Sequence, residues 1–224
     1  MNRLIVLLAL SLLLPLLAFS EVLYTLDFTG QSDGDAKQWL KDQDFKFELD
    51  VDDLGLFFKN GRLMIVNEES SNGLILKEVD IKKAKRIRIE WGVNQFPSGI
   101  NWDQGVTRDV VMVVVSFGTE KISSGKFYIP DLPYFFGIFP SNTGAQEKAY
   151  TGSYYKKGGR YFCSPCDAKE GEAIVTEFEL FDRFNSEFKQ DSFPGISAIA
   201  IESDTRDLKE RSEAYIKKIE ILSE

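Results

Sequence analysis

The sequence predicts an all-β protein with minor α content: an antiparallel β-sandwich of jelly-roll type with one short helix. About ten short segments alternate apolar and polar residues with a period of two between turn residues, which is typical of such sandwiches. Asn60-Gly61 separates two of these segments and favours the type I′ turn of a hairpin. The run from Asp109 to Phe117 is too continuously apolar for a strand with one solvated face, so we expect a central strand covered on both sides.

The first 20 residues have the composition of an export signal. Arg3 supplies a positive start, Leu4 to Leu17 are apolar, and Ala18-Phe-Ser20 places small residues at a cleavage site. The apolar run is shorter than the ~20 residues that a membrane-spanning helix needs. We predict a signal peptide over residues 1–20 and a single β-sandwich domain over residues 21–224, periplasmic or secreted, with no stable membrane insertion after cleavage.

Charge and composition exclude several classes of function. The formal net charge is −8, and removal of Arg3 with the signal peptide makes it −9. Such a chain repels phosphate backbones and anionic lipids, so neither a nucleic-acid partner nor a membrane-surface partner is predicted. The sequence contains no histidine, which excludes Ser-His-Asp and Cys-His nucleophiles and histidine-ligated metals. We predict no metal and no cofactor, and we interpret Asp33-Gly-Asp35 as a turn rather than a calcium loop.

The predicted elements follow the chain in order. The strands before the central run alternate in period two, and a hairpin is expected from about Gly55 to Asn67. After the central run, the aromatic cluster Tyr134–Phe139 is interpreted either as core or as an exposed patch for a protein partner. The predicted strands outside the central run are 22–28, 45–49, 54–58, 63–66, 74–79, 85–91, 173–180, 196–201 and 214–222.

Two C-terminal features are specified more closely. Leu180, Phe181, Phe184 and Phe188 fall at helical spacing, which predicts a short amphipathic helix. In the last strand, the alternation places one set of side chains on a single face. That set is Tyr215, Lys217, Ile219 and Ile221.

The only two cysteines lie in Cys163-Ser-Pro-Cys166. A redox pair requires the first sulfur at a helix N-terminus, whereas the residues that follow read as a turn. A zinc site needs two more ligands of a kind that the chain lacks. In an exported protein, a disulfide that closes a loop is the favoured interpretation.

Two groups of residues are candidates for function. Glu177, Glu179 and Asp182 could act as acid and base on a glycosidic bond, or they could form a solvated strand face. The second group lies on two long polar loops, 93–108 and 141–159, where an aromatic platform could stack on a sugar while polar groups bind its hydroxyls. This predicted ligand-binding set is Asn101, Trp102, Asp103, Arg108, Tyr154 and Tyr155. Trp91 ends a strand and is expected in the core.

The C-terminal half contains a pattern that extends these expectations. An apolar strand ends in Ile199-Ala-Ile-Glu-Ser-Asp204-Thr205, and Glu213-Ala-Tyr215 and Ile219 follow after a polar gap. Weaker matches are Ser71-Asn-Gly-Leu74, Ile89-Glu-Trp91 with Pro97, the central strand ending in Phe117, and Glu177 with Asp182-Arg-Phe184. Together they resemble the exported family known as domain of unknown function 3047.

The resemblance covers most of residues 63–222. It implies a sandwich similar to galactose-binding and carbohydrate-binding modules, with no established activity. Two positions depart from the family pattern: Arg206 stands where the family often has a second Asp, and Thr107-Arg108-Asp109 stands where it tends to have adjacent acids. The first departure argues against a shared metal site.

Three functional hypotheses follow. The first is an exported, non-catalytic binding module for a saccharide or other small polar ligand. The second is a carboxylate-dependent carbohydrate-active enzyme that uses Glu177, Glu179 and Asp182. The third is a structural or partner-binding protein of the cell envelope. Fold analogy cannot choose among them, because function depends on the site.

Overall fold

A computed structural model describes residues 20–146 and 148–223, so the predicted signal sequence, except Ser20, lies outside the described residues. The described chain is rich in strands, with two α-helices, α1 and α2, at Lys37–Asp42 and Phe181–Phe188. Strands β1 to β14 are Val22–Asp27, Gly34–Asp35, Lys46–Leu49, Gly55–Phe58, Leu63–Asn67, Asn72–Ile81, Arg86–Gln95, Asp109–Ile122, Leu132–Phe139, Ala149–Tyr150, Gly159–Cys163, Ile174–Glu179, Ile196–Asp204 and Ser212–Leu222. Within this part, no helix has the length and apolar character to cross a membrane.

The strands form two seven-stranded sheets. The first sheet has the order β12-β7-β14-β5-β4-β2, with β1 also paired to β14. The second sheet has the order β10-β11-β9-β8-β13-β6-β3. The pairs are antiparallel except β11 with β9. The predicted antiparallel β-sandwich of jelly-roll type is therefore confirmed, although it contains more strands than expected and a second helix, α1.

The predicted central strand is confirmed as β8, the fourth of seven strands in the second sheet. Val111, Val113 and Val115 on its inner face are fully buried in the core between the sheets. On its outer face, Val114 and Ser116 are partly exposed. The expectation of cover on both sides is thus met only in part, and the outer face of the second sheet remains accessible near its centre.

The Asn60-Gly61 hairpin is also confirmed. Strand β4 pairs antiparallel with β5, and both turn residues have positive φ, 53° at Asn60 and 66° at Gly61. A Cβ at Gly61 would approach the carbonyl oxygen of Thr29 to 2.8 Å. The turn therefore requires glycine both for its backbone conformation and for space.

The predicted face of the last strand is wrong in its first half, because β14 contains a bulge. The pairing of β14 with β7 shifts between Ile216 and Lys218, which reverses the alternation at that point. Ala214 and Ile216 enter the core, whereas Lys217 is exposed and forms an ion pair of 2.7 Å with Glu90. The two consecutive lysines, Lys217 and Lys218, between Ile216 and Ile219 mark this change of phase in the sequence.

Other local predictions are confirmed. Helix α2 covers the predicted amphipathic segment and buries Phe184 and Phe188. Trp91 is buried in the core, where its indole N–H donates to Thr176 Oγ1 at 3.0 Å. The aromatic cluster of β9 belongs largely to the interior, because four of its side chains are at most 5% exposed. These are Phe135, Phe136, Ile138 and Phe139.

Candidate functional site

The predicted platform residue Trp102 lies in the interior rather than on the surface. Its ring stacks on Phe139 at 4.6 Å between centroids and contacts Tyr150 and Tyr161 at 5.6 and 5.1 Å. Its indole N–H donates to the main-chain oxygen of Arg108 at 2.9 Å. Since Trp102 is only 6% exposed, it positions the loop before β8 and offers little ring surface to a ligand.

Asn101 and Asp103 shape the same loop. The Asn101 side chain accepts a hydrogen bond of 3.1 Å from the main-chain N–H of Gln104, which caps the short 3-10 turn at Trp102–Gln104. Asp103 is exposed and forms an ion pair with Lys148, and that hydrogen bond holds the pKa of Asp103 below its usual value. Of the two, only Asp103 presents a charged group to solvent.

Arg108 and Tyr155 point away from that loop tip. The Arg108 guanidinium donates to the main-chain oxygen of Arg206 at 2.8 Å and to Asp207 at 2.9 Å, so it joins the start of β8 to the end of β13. Tyr155 has a positive φ of 55°, and its hydroxyl donates to the oxygen of Pro130 at 3.0 Å. Tyr154 is 41% exposed beside it. The predicted set therefore surrounds one edge of the second sheet without forming a single exposed platform.

The candidate catalytic carboxylates lie on the opposite side of the sandwich, on the outer face of the first sheet. Glu177 forms ion pairs of 3.2 Å with Arg86 and 2.7 Å with Arg88. Glu179 lies 3.6 Å from Arg86, and partial burial raises its pKa. Asp182 is exposed in the first turn of α2. Paired to arginines on a flat exposed face, Glu177 and Glu179 have the arrangement of a solvated salt-bridge network.

The structure brings together a different acidic group, which the sequence interpretation did not identify. Strand β13 pairs with β8 through a register shift that places Met112 opposite Glu202 and Asp109 opposite Asp204. Glu202 and Asp204, two residues apart, project from the same face of β13. We call Asp109, Glu202 and Asp204 the carboxylate cluster. It lies on the outer face of the second sheet.

Asp204 is the charged and satisfied member of the cluster. Arg206 donates to both of its carboxylate oxygens, at 2.9 and 2.8 Å, in a two-point ion pair. Arg108 adds a longer ion pair of 3.7 Å. A bidentate arginine holds a carboxylate in one orientation. Asp204 therefore contributes a fixed negative charge beside the other two acids.

Asp109 is the buried and unsatisfied member. Its side chain is 4% exposed, and its Oδ1 atom has no hydrogen-bond partner among the described residues. Its pKa is raised well above the ordinary value, mainly by burial and further by the charges of Glu202 and Asp204. A hydrogen bond from the main-chain N–H of Asp204 lowers the pKa but does not cancel this rise. This shift favours the protonated form of Asp109, in which a carboxyl group donates a hydrogen bond as well as accepting one.

Glu202 is the accessible member, since it is partly exposed between Met112 and Leu74, its neighbours in register. Burial raises its pKa to about 7, the charge of Asp204 adds to that rise, and Arg206 opposes it. Near neutral pH, Glu202 therefore exchanges between an acceptor-only carboxylate and a carboxyl that donates.

Tyrosines and small residues surround Glu202. Tyr161 pairs in register with Gly137, and a Cβ at Gly137 would lie 2.8 Å from the Tyr161 ring. Burial and then the charge of Glu202 raise the pKa of the Tyr161 hydroxyl. The pKa of Tyr155 is also raised, by burial, then by the charge of Asp131 and then by that of Glu202. Ala200 occupies the β13 position before Glu202 on the same face. Polar hydroxyls, a carboxyl and small side chains thus occur together on an open sheet face.

Comparison with known proteins assigns no family to the chain and finds only distant structural similarity. No family model and no curated protein matches the chain, so the resemblance to the family of unknown function stays a prediction. Among solved structures, the chain is similar to the carbohydrate recognition domain of Emp46p in a potassium-bound form, with a TM-score of 0.47 and 10% identity over 89% of this chain and 96% of that one.

Two further solved structures give comparable values. Winged bean acidic lectin complexed with methyl-α-D-galactose has a TM-score of 0.43 and 10% identity, covering 90% of this chain and 99% of the lectin. A chain from work on endo-acting O-glycanases of the human gut microbiota has a TM-score of 0.44 and 10% identity, covering 91% of this chain and all of that one. Since all three TM-scores are below 0.5, the fold assignment rests on the strand order and pairing described above.

The carboxylate cluster did leave a weak signal in the sequence. Glu202 interrupts an apolar strand and stands two residues from Asp204, so both side chains belong to one face. What the sequence could not supply is the register that places Asp109, 93 positions before Glu202, beside them. Within the described residues, no group of three or more His, Cys, Asp or Glu side chains is arranged to hold a metal ion.

Proposed function

We propose that the protein is exported, with residues 1–20 removed, and that it acts in the periplasm or outside the cell as a non-catalytic binding module for a saccharide or other small polar ligand. We place the ligand on the outer face of the second sheet at Glu202, with Tyr155 and Tyr161 beside it. The predicted residues Asn101, Trp102, Asp103, Arg108 and Tyr154 then support or flank this face. The Cys163–Cys166 disulfide agrees with an oxidising compartment.

The observation that carries the proposal is the unfavourable environment of the carboxylate cluster. An unsatisfied buried oxygen at Asp109 and a partly exposed acid at Glu202 both weaken the fold, and apolar residues of similar size would avoid this. Acids whose pKa values are raised by burial and by a neighbouring charge of the same sign are concentrated at functional sites. A ligand with several hydroxyls satisfies such a group, because each hydroxyl can donate to a carboxylate or accept from a neutral carboxyl.

The test is binding to a glycan panel, measured by calorimetry and by tryptophan fluorescence, for the processed protein and two variants. Glu202→Gln changes the proposed contact with little change of shape. Glu48→Gln is the matched control, because Glu48 is an exposed carboxylate in the same cross-strand row, two strands away on β3. We expect the affinity of the Glu202 variant to fall at least about tenfold, because this is the usual effect of losing a hydrogen bond to a charged group. The Glu48 variant should bind with the affinity of the unmodified protein.

Two results would refute the proposal. One is the absence of binding by the unmodified protein across mono- and oligosaccharides and small polyols. The other is binding that Glu202→Gln leaves unchanged, which would move the site elsewhere on the molecule.

A carboxylate-dependent carbohydrate-active enzyme is the second candidate, and one observation favours it at Glu202 rather than at Glu177 and Glu179. A carboxyl group with a pKa of about 7 has the proton affinity expected of a general acid at neutral pH. Prolonged incubation with each bound oligosaccharide, followed by mass spectrometry, would detect cleavage. Turnover that is lost in Glu202→Gln supports this candidate, whereas intact oligosaccharide favours the binding module.

A further inference from the structure

The loop from Ser123 to Asp131, between β8 and β9, presents two aromatic side chains to solvent. Phe127 is fully exposed and Tyr128 is 62% exposed, and their rings contact each other edge to face at 5.2 Å. Large aromatic side chains normally bury most of their surface. We call the segment 123–131 the aromatic loop.

Hydrogen bonds fix the shape of the aromatic loop. The Ser124 hydroxyl oxygen lies 2.9 and 2.8 Å from the main-chain oxygens of Lys126 and Ile129, and the Ser124 N–H donates to Asp131 at 2.9 Å. Tyr155 supports the loop from outside, because its N–H donates to the oxygen of Ser124 at 3.2 Å. The two exposed rings therefore project from a pre-formed base, and their insertion into a partner would require little ordering of the chain.

The charge around the loop is opposite to that of the whole protein. The 155–158 segment packs against the base of the loop, since a Cβ at Gly158 would lie 2.9 Å from Ile122. The aromatic loop, the 155–158 segment and the end of β8 together contain four lysines, at positions 121, 126, 156 and 157, and two acids, Glu120 and Asp131. The complete chain carries a net charge of −8. A local excess of positive charge next to projecting aromatic rings is complementary to a surface that is anionic outside and apolar beneath.

We propose that the aromatic loop docks the protein on the surface of an anionic phospholipid bilayer. Phe127 and Tyr128 enter the interfacial layer, where ring and hydroxyl are both accommodated, and the lysines contact the headgroup phosphates. Two side chains offer far less area than the ~1,000 Å² expected of a specific protein interface, which favours a lipid surface over a protein partner. This docking is independent of the ligand proposed at Glu202.

Vesicle flotation tests the proposal, using the protein without residues 1–20. Vesicles contain phosphatidylcholine alone or phosphatidylcholine with phosphatidylglycerol. Phe127→Ala and Lys126→Glu remove one aromatic and one basic contact. Leu49→Ala is the matched control, because Leu49 is 63% exposed on β3, an edge strand of the same sheet that is three strands away from β8.

We expect the unmodified protein and the Leu49 variant to float with phosphatidylglycerol vesicles and not with phosphatidylcholine alone. Partitioning should fall at least about tenfold for Phe127→Ala and, because the charge is reversed, by more than the about fivefold expected for the loss of one lysine in Lys126→Glu. Thermal unfolding checks that each variant is folded, as exposed substitutions predict. Protein that stays in solution with both vesicle types overturns the proposal, and so does unchanged partitioning of the Phe127 variant. Capture of a protein through this loop without vesicle binding would overturn it as well.

Discussion

Replacing Glu202 with glutamine should stabilise the protein at alkaline pH while it weakens ligand binding. The folded state raises the pKa of Glu202 from 4.5 to about 7, so it binds the proton more tightly than the unfolded chain does. The stabilising contribution of this group is therefore complete below pH 4.5 and is lost as the pH rises through about 7. A glutamine side chain is never ionised, so the Glu202→Gln protein does not lose this stability as the pH rises.

The size of the effect follows from the shift. A rise from 4.5 to about 7, at about 1.4 kcal/mol for each unit of pKa, corresponds to about 3 kcal/mol of unfolding free energy. The Glu202→Gln protein should thus exceed the unmodified protein in stability by about 3 kcal/mol at about pH 8, and the difference should vanish near pH 4.5.

Urea unfolding at a series of pH values, followed by circular dichroism, measures this difference directly. Glu48→Gln serves as the control, since an exposed substitution should change stability by less than about 0.5 kcal/mol at every pH. A Glu202→Gln protein that is no more stable than the unmodified one at about pH 8, or a difference that does not change with pH, would refute the assignment of Glu202 as a partly buried acid that destabilises the fold when it is ionised.

Three further changes test the supporting structure, each by urea unfolding. Replacing Cys163 and Cys166 together with serine should lower stability by only about 2 kcal/mol, because the disulfide closes a very short loop; a loss of the whole fold would contradict this. Gly137→Ala should destabilise by about 1–3 kcal/mol, since its new methyl group would clash first with the Met112 sulfur and then with the Tyr161 ring, and an unchanged midpoint would argue against these contacts. Trp102→Phe should lose about 1–3 kcal/mol through its missing indole hydrogen bond and its smaller ring, and a neutral effect would indicate that this residue is not buried.

The features that the sequence predicted correctly are those that depend on interactions between residues close together in the chain. The Asn60-Gly61 turn is fixed by backbone preference, and helix α2 by the spacing of its phenylalanines. The central strand is marked by its apolar run. Helix α1, in contrast, has six residues and buries only Leu40, so it is too short to show a periodic pattern.

Features set by tertiary contacts could not be predicted in this way. Because Trp102 lies in a polar loop, the sequence predicts that it is exposed. In the structure it is buried, because its ring stacks on Phe139 and contacts Tyr161. The carboxylate cluster depends on the pairing of β8 with β13 and on a register shift within that pairing, which brings Asp109 to Asp204. Alternation along either strand does not reveal which residues of the other will be its neighbours.

The central claim is that the outer face of the second sheet at Glu202 binds the ligand, and an amide NMR titration with a saccharide from the panel tests it most directly. We predict that the largest shift changes occur on β8, β13, β9 and β11, around Glu202 and Tyr161, while the amides of β7 and β12 remain unperturbed. Changes centred on β12 at Glu177, on the outer face of the first sheet, would contradict the claim, as would an unchanged spectrum with every saccharide tested.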